Sequence, residues 1–329
     1  MIMKEKYFLI LIIIIFSIGG LKGQDPHFSQ YYANPLYLNP ALAGSQICPR
    51  LAFNFRSQWP SITGTYVTYN ASYDMYVPAL SGGIGVLVDV DRAGEGVLNT
   101  TLAGLMYAFR LKVSDKFYIN TALQATFVQK TLDWEKLIFP DQIDPRWGII
   151  RNTNEIPPEN LTKNFADFNA GIAGYGERFF VGFSASHVTR PNEGFISTSK
   201  LPVKYTVHAG GVISIESKAY KKYTVEETTL SPNILFSKQQ DFEEFNYGLY
   251  LNKYPFVVGT WFRHSTKNPD AFIVLLGFVQ ETFQVGYSYD ITVSRLTNQS
   301  GGAHEFSLTF RLPCPVKAKR IAPINCPKF

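Results

Sequence analysis

The chain has few charged residues for its size, and beyond its N-terminus it has no long apolar run. Asp, Glu, Lys and Arg make up 17% of the 329 residues, whereas soluble proteins average about a quarter. After the first 23 residues no segment approaches the roughly 18 continuous apolar residues that indicate a transmembrane helix. Hydrophobic residues reach 46% and aromatic residues 15%, which excludes intrinsic disorder. This composition favours β structure.

Recognisable catalytic and metal-binding motifs are also missing. The three cysteines form no Cys-x-x-Cys pair, which argues against a zinc or redox site. There is no Gly-x-Ser-x-Gly elbow of a hydrolase. Gly82, Gly83 and Gly85 lack the full dinucleotide fingerprint and a following helix, so we interpret them as small residues on a lumen face or at a strand bend. His187 and His208 have no carboxylate or Cys beside them in the sequence and are interpreted as ordinary strand or turn residues. The sequence predicts no metal and no cofactor.

Residues 1–23 have the features of a secretory signal peptide. Lys4 and Lys6 precede an apolar run from Tyr7 to Ile18, and small residues follow up to Gly23. The run is too short to span a membrane comfortably, so we expect cleavage near Gly23 and a mature chain that starts at Gln24. Removing three Lys and one Glu lowers the formal net charge from +5 to about +3, too small to suggest a nucleic acid partner.

The rest of the chain alternates between apolar and polar residues with a period of two. From Phe117 to Phe127, for example, one set of alternate positions is mainly apolar and the other is polar or small. Such alternation predicts strands with one apolar face. Several segments reach the roughly nine to eleven residues that a membrane-spanning strand needs, whereas soluble strands average about six. Fourteen strands are predicted, at 50–57, 65–77, 82–92, 97–111, 116–129, 166–176, 178–188, 202–214, 223–236, 242–252, 255–264, 270–280, 282–291 and 303–312.

Export, long amphipathic strands and the lack of an apolar helix together predict an all-β fold, a transmembrane antiparallel β-barrel of about 14 strands in the outer membrane. We assign the barrel to residues 50–312 and a Cys-, Pro- and Lys-containing tail to residues 313–329. An even strand number puts both barrel termini on one side, predicted to be the periplasm. Short turns mostly follow even-numbered strands. The longest connection, 130–165, follows strand five and is predicted to be an extracellular loop that folds over or into the barrel mouth.

Residues 24–49 differ from the strands. Asn34-Pro35 and Asn39-Pro40 each favour a turn, because the residue before a proline is pushed out of the helical region. Exposed aromatic residues at this density are unfavourable. We therefore expect this segment to be a lumenal or periplasmic plug, and the alternative is a mobile leader. The aromatic residues that need burial are Phe28, Tyr31, Tyr32 and Tyr37.

The three cysteines allow one disulfide and leave one cysteine over. A Cys314–Cys326 bond is slightly favoured, because the two are close in sequence with prolines between them. A Cys48–Cys314 bond is the alternative. It would staple the first strand to the last one at the barrel seam if the two Cα atoms lie within about 7 Å.

The N-terminal segment and a series of later motifs carry a family resemblance. Phe28-Ser29-Gln30-Tyr31-Tyr32, Asn34-Pro35 and Asn39-Pro40 resemble the N-terminal signature of the PorP/SprF family. The resemblance covers nearly the whole mature chain. The later motifs occur in the family's order at 56–59, 73–74, 83–85, 94–96, 141–144, 167–168, 182 with 187, 289–290, 301–305 and 326–329.

This resemblance implies an outer-membrane barrel without enzymatic activity, associated with type IX secretion and gliding motility in Bacteroidota. Its implied partners are the outer-membrane lipid and either a large secreted adhesin with a type IX C-terminal domain or other components of the secretion machinery. The candidate signature or contact residues are Phe28, Ser29, Gln30, Tyr31, Asn34, Pro35, Asn39, Pro40, Trp134, Asp141, Gln142, Asp144, Trp147, His304 and Glu305.

Two other function classes stay open. An outer-membrane channel for small solutes would need an open lumen lined by charge, whereas the predicted lumen faces carry many Gly, Ala, Ser and Tyr. An outer-membrane enzyme would need a catalytic constellation that the sequence does not display. Within the leading interpretation, the 130–165 loop is expected to carry the partner surface, because loops on a rigid scaffold commonly bind. Its alternative role is a lid that seals the barrel.

Overall fold

Fourteen antiparallel strands form one closed barrel. The computed structural model describes residues 25–46, 48–215, 228–265, 268–293 and 299–314. Each strand pairs with the next one in sequence, and β1 pairs with β14 to close the barrel. The strands are β1 Arg50–Gln58, β2 Tyr66–Val77, β3 Gly82–Ala93, β4 Leu98–Ser114, β5 Phe117–Leu132, β6 Thr162–Tyr175, β7 Phe179–Ser186, β8 Lys204–Gly211, β9 Thr229–Gln239, β10 Phe242–Lys253, β11 Phe256–Ser265, β12 Asn268–Val279, β13 Phe283–Thr292 and β14 Ala303–Arg311.

The predicted barrel of about 14 strands is therefore confirmed. A further two-residue strand, Ile213–Ser214, continues β8 and pairs with β9. The strand predicted at 223–236 is observed from Thr229, because residues 223–227 lie outside the described ranges. Strand β6 starts four residues earlier than predicted, since Thr162 still pairs with Thr131 of β5.

Within the described ranges, helical structure is confined to short pieces. Helix α1 spans Pro35–Leu38, and 3₁₀ turns span Pro40–Leu42, Pro78–Leu80, Trp134–Lys136 and Pro140–Gln142. In the part of the chain that the structure describes, no helix combines the length and hydrophobicity needed to cross a membrane.

The alternation of side chains gives the barrel an apolar outer face and a polar inner face. Leu123 on β5 is 73% exposed, whereas the adjacent Gln124 is 4% exposed and faces inward. On β10, Leu249 is exposed and Gly248 packs against the inward Trp261 ring. The alternation that the sequence shows from Phe117 to Phe127 is therefore observed as an exposed apolar face and a buried polar face of β5. The apolar residues on the outside are the surface that a bilayer would cover.

The two ends of the barrel differ, and we name them by their connections. The turn end carries the start of β1, the end of β14 and the turns at 78–81, 115–116, 176–178, 254–255 and 280–282. The loop end carries the connections at 59–65, 94–97, 133–161 and 187–203. The β9–β10 turn at 240–241 also lies at the loop end and is as short as those of the turn end, so connection length alone does not separate the ends. That the turn end faces the periplasm stays a prediction.

A disulfide joins Cys48 to Cys314 at the turn end, with the Cα atoms 4.5 Å apart. The preference for a Cys314–Cys326 bond was therefore wrong, because Cys314 can form only one disulfide and its partner is Cys48. Closure of the barrel explains the pairing. Arg50 and Arg311 are direct partners in the β1–β14 ladder, so the residues just beyond them meet despite a sequence separation of 266. Cys326 lies outside the described residues.

Arginine substitutions at two depths on β5 test whether its outer face lies in the bilayer. We expect Leu123→Arg to cost roughly 2–4 kcal/mol and to impair assembly, because Leu123 lies in the middle of β5. Thr131→Arg on the same strand, near the loop end, should cost about 0–1 kcal/mol. The fraction that migrates as compact barrel in unboiled gels measures both. Equal loss in the two variants would contradict a membrane-facing β5.

Candidate functional site

Residues 25–46 lie inside the barrel, and we call them the lumenal segment. They contact strands from around the wall. The Tyr31 ring packs edge-on against Trp261 of β11 at 5.0 Å, and Asn120 of β5 donates to the Ala41 carbonyl at 2.9 Å. The segment begins at the loop end with Asp25 and reaches the turn end with Gly44, whose N–H donates to Asp74 of β2 at 2.8 Å.

The two Asn-Pro pairs shape the middle of this segment. Pro35 begins α1, where a proline lacks no needed N–H. Asn39 caps the following 3₁₀ turn by accepting from Ala41 N at 2.9 Å. Its amide nitrogen donates to the carbonyls of Ile172 and Phe183, each at 3.2 Å. Asn39 therefore forms the predicted turn and also fixes the segment to β6 and β7.

Glycines on the wall make room for the segment. A Cβ on Gly83 would lie 2.1 Å from the Ala43 carbonyl oxygen, and one on Gly171 would lie 2.1 Å from Asn39 Oδ1. Gly85 faces Leu36 in the same way. Gly83 and Gly85 are thus small residues on the lumen face, as the sequence indicated. Gly83 leaves room for the segment backbone at Ala43, and Gly85 leaves room for the Leu36 side chain.

Four wall side chains form a buried charge cluster beside the segment. Arg56 of β1 pairs with Asp290 of β13 at 2.9 Å and with Glu305 of β14 at 3.0 Å. Arg263 of β11 pairs with the same Asp290 carboxylate at 3.0 Å and with Asp270. Within the cluster, two positive charges compensate two negative charges. That balance is what a buried ion pair requires to be tolerated.

Ser29 and Gln30 bind this charge cluster through neutral groups. Their backbone N–H groups donate to the two oxygens of Glu305, at 2.7 and 2.9 Å. Ser29 Oγ donates to Asp290 at 2.7 Å. The Gln30 side chain accepts from Ser307 Oγ at 2.6 Å and donates to the Glu305 carbonyl at 2.9 Å. These bonds hold the segment against β13, β14 and β1, the strands at the barrel seam.

A second contact, which we call the loop-end clamp, holds the start of the segment. His187 lies between two carboxylates, with Nε2 2.8 Å from Asp25 Oδ2 and Nδ1 2.7 Å from Asp167 Oδ2. Lys204 Nζ lies 3.8 Å from Asp25, and Gln239 accepts from the Asp25 N–H at 3.2 Å. The interpretation of His187 as an ordinary residue without a carboxylate was wrong, because Asp25 and Asp167 are distant from it in sequence.

The clamp shifts the ionisation of its members. Burial alone would lower the pKa of His187, but the Asp25 and Asp167 carboxylates raise it to about 9. Burial would raise the pKa of Asp25, but His187 and Lys204 hold it well below its usual range. His187 is therefore an imidazolium between two carboxylates at neutral pH. Its backbone is left-handed, with φ of 59°, which is uncommon for a residue other than glycine.

The structure separates the candidate residues into three places. His304 faces outward on β14, where its Nδ1 lies 2.9 Å from the Tyr287 hydroxyl, so it does not join Glu305 at the lumen site. Asn34 is buried, and neither polar atom of its side chain has a hydrogen-bond partner among the described residues. The lumenal set is Phe28, Ser29, Gln30, Tyr31, Asn34, Pro35, Asn39, Pro40 and Glu305, and the set on the 133–161 loop is Trp134, Asp141, Gln142, Asp144 and Trp147.

The polar candidates of the loop bind within the loop itself. Asp141 accepts from the Asn154 N–H at 2.7 Å, and Asp144 accepts from the Trp147 N–H at 3.2 Å. Gln142 accepts from the Phe139 N–H at 2.8 Å. These side chains fix turns around the small β pair of Ile143–Asp144 with Gly148–Ile149.

Apolar side chains cover the outside of the same loop. Trp147 is 76% exposed and Ile156 is 85% exposed. Trp134 is half-buried and packs against Phe139 with the ring centroids 4.8 Å apart. Exposed apolar groups at this density mark an interaction surface. We call this set the loop apolar surface, and its members are Ile138, Ile143, Trp147, Ile149, Ile150 and Ile156.

Sequence reasoning missed three residues that join the segment to the wall. They are Asp25 in the segment and Arg263 and Lys204 in the wall. Alternation places Arg263 on the inner face of β11, but nothing local indicates which residue it meets. A charged residue on a lumen face of an otherwise low-charge strand is the signal that could have drawn attention to it.

Removal of a central carboxylate tests the buried charge cluster. We expect Glu305→Ala to lower the free energy of unfolding by about 3–5 kcal/mol, because Arg56 loses a partner and two segment N–H groups lose their acceptor. Urea titration of the barrel in vesicles measures this. Glu243→Ala is the matched control. It removes a solvent-exposed rim pair with Lys238 and should change stability far less than Glu305→Ala.

The clamp predicts a pH dependence of stability. His187 has a folded pKa above its ordinary 6.5, so its contribution is complete below about 6.5 and is lost as the pH rises through about 9. The contribution of Asp25, whose folded pKa is lowered, is instead lost only in acid. The temperature of barrel unfolding should fall between pH 6.5 and 9 more steeply in the native chain than in His187→Asn. Parallel profiles would contradict the assignment.

Comparison with known proteins agrees with this architecture. The family model described as "Type IX secretion system membrane protein PorP/SprF" matches residues 20–310. The structure of the toluene transporter TbuX of Ralstonia pickettii is similar at a TM-score of 0.51 and 8% identity, over 84% of this chain and 93% of its own. Omp33 of Acinetobacter baumannii matches at a TM-score of 0.44 and 9% identity, over 81% and 99%. No curated protein matches the chain.

These matches differ in what they show. At 8% identity, the likeness to TbuX shows the fold alone. The family match covers most of the chain, including the lumenal segment and every barrel strand up to Phe310 in β14. The chain is an outer-membrane β-barrel, and it belongs to the PorP/SprF family of type IX secretion system membrane proteins.

Proposed function

We propose that this protein is a non-enzymatic barrel that supports type IX secretion, or the surface attachment of a secreted adhesin, through protein–protein contacts at its loop end. The observation that carries the proposal is the loop apolar surface around Trp147, which lies beyond the ends of the membrane strands. Partners of the secretion machinery and a large adhesin with a type IX C-terminal domain both fit this role. In gliding cells, such an adhesin would be the surface protein that the barrel helps to export or retain.

The loop is built to present this surface. Asp141, Gln142 and Asp144 satisfy backbone donors within it, and the Asp133 N–H donates to the Val97 carbonyl at 2.8 Å at its base. Such internal bonds lower the entropy that a partner would otherwise have to remove on binding. We therefore assign contact to Trp147 and the neighbouring isoleucines, and a positioning role to the acidic residues.

The contents of the lumen support contact rather than solute passage. The lumenal segment is buried along nearly its whole length and binds wall strands on several sides. A channel for small solutes, the alternative, would require this segment to leave. A lid role for the 133–161 loop is less well supported, because the side chains of the loop apolar surface are all more than half exposed.

A paired substitution tests the contact surface in the producing cells. We expect Trp147→Ser with Ile149→Ser to reduce the surface display of the partner at least tenfold. Exposed Trp anchors at interfaces are commonly worth about 2 kcal/mol or more, and about 1.4 kcal/mol is already tenfold in affinity. Quantitative mass spectrometry of surface-shaved proteins with type IX C-terminal domains measures display. The variant must retain heat-modifiable migration.

Arg146→Ser with Arg151→Ser serves as the matched control, because both residues lie on the same loop and neither belongs to the loop apolar surface. Display should be nearly unchanged in it. Unchanged display after deletion of residues 138–156, in a barrel that still assembles, would remove the loop from the mechanism.

A further inference from the structure

The charge of the lumenal segment is concentrated at one end. Between residues 25 and 46, Asp25 is the only Asp, Glu, Lys or Arg. His27 is the other titratable side chain apart from tyrosines. Burial and the nearby Arg263, Arg56 and Lys204 hold its pKa well below the usual value, so it is neutral. The ion pair of Asp25 in the loop-end clamp is therefore the one full-charge attachment between the segment and the wall.

We propose that the loop-end clamp is a latch, and that its opening lets the lumenal segment move toward the turn end and unblock the lumen. The proposal goes beyond the partner role proposed above and does not depend on it. A ligand that displaces His187 would act on Asp25, the only charged residue of the segment.

The buried charge cluster of the wall keeps its own ion pairs when the segment leaves. Arg56, Arg263, Asp290 and Glu305 pair with one another whether or not Ser29 and Gln30 are present. The segment adds neutral N–H, hydroxyl and amide groups to that cluster, and water can replace such groups at a modest net cost. The ion pairs that break are those of Asp25 with His187 and Lys204, and Asp167 then remains as a partner of His187.

The latch is attached directly to a surface loop. His187 is the first residue after β7 and opens the 187–203 connection. Its left-handed backbone, with φ of 59°, places a strained residue where the loop starts, a feature that clusters at switch regions. Val188 and Ile196 on this loop are exposed apolar residues. A ligand that moves the loop therefore moves the imidazole that holds Asp25.

The turn end has the features of a fixed hinge. Gly44 has φ of 63°, a conformation that glycine adopts freely. Four residues later, the Cys48–Cys314 bond ties the chain to the end of β14. Because Ser29 and Gln30 brace β13 and β14, the seam loses hydrogen bonds when the segment leaves. The disulfide keeps β1 and β14 joined in that state.

Conductance of the purified full-length protein in planar bilayers tests the latch. The native protein should be mostly closed. Asp25→Asn, which leaves the wall untouched, should raise the time spent in a conducting state at least tenfold. His187→Asn should do the same, since Asn tolerates the left-handed backbone. The double variant should conduct no more than Asp25→Asn alone, because that variant already removes both ion pairs of the segment. Asp91→Asn is the control. Asp91 binds Thr68 from wall to wall and its change should leave conductance unchanged.

A disulfide lock shows whether the segment itself moves. Gly171 and Asn39 approach so closely that a Cβ on Gly171 would lie 2.1 Å from Asn39 Oδ1, within reach of a disulfide between Cys residues at both positions. Asn39→Cys with Gly171→Cys, in the Asp25→Asn background, should return conductance to the native level when oxidised. A reducing agent should restore the conducting state, and Asp25→Asn alone in the same agent controls for loss of the native disulfide.

Three results would overturn the latch. The first is a large conductance of the native protein. The second is native-like conductance of folded Asp25→Asn, with folding checked by heat-modifiable migration. The third is conductance that persists in the oxidised lock. If His187→Asn does not assemble, Asp25→Asn and its lock decide the question.

Discussion

The buried Arg56 guanidinium is the charge around which the inside of the barrel is arranged. It lies at 2% exposure between Asp290 and Glu305, and a charge so deeply buried is tolerated only with partners and satisfied hydrogen bonds. These three residues sit on β1, β13 and β14, the strands that meet at the seam. Ser29 and Gln30 complete the carboxylate coordination from inside. Closure of the barrel therefore creates the charged surface on which the lumenal segment is held.

Much of the fold could be predicted because its signal is local. A strand with one face to lipid must alternate apolar and polar residues. The alternation alone therefore assigns Leu123 to the outer face and Gln124 to the inner face, without knowledge of the neighbouring strands. The disulfide could not be predicted in the same way. Sequence proximity favoured Cys326 for Cys314, but ring closure brought Cys48 to it. The loop-end clamp could not be predicted for the same reason, since Asp25, Asp167 and His187 come from three separate elements.

The candidate site was foreseen in its parts but not in its assembly. The aromatic density of the N-terminal segment and its two Asn-Pro pairs indicated burial, and the segment does lie among wall side chains. The polar loop residues had a different outcome. Asp141 and Asp144 are bound to backbone N–H groups of their own loop, and no sequence pattern distinguishes an acidic side chain that shapes a loop from one that meets a partner. Exposure of Trp147 is the property that only three-dimensional structure reveals.

The two ends of the lumenal segment are held by forces of different kinds. At the turn end, the Cys48–Cys314 disulfide and the close packing of Ala43 on Gly83 fix the chain near the barrel seam. At the loop end, an ion pair between side chains holds it, and that ion pair includes the first residue of a surface loop. Covalent bonds persist under conditions in which ion pairs exchange with water and other charges. The segment thus continues into a covalently fixed chain where the barrel closes and is held by ion pairs at the loop end, which is the arrangement that the proposed latch requires.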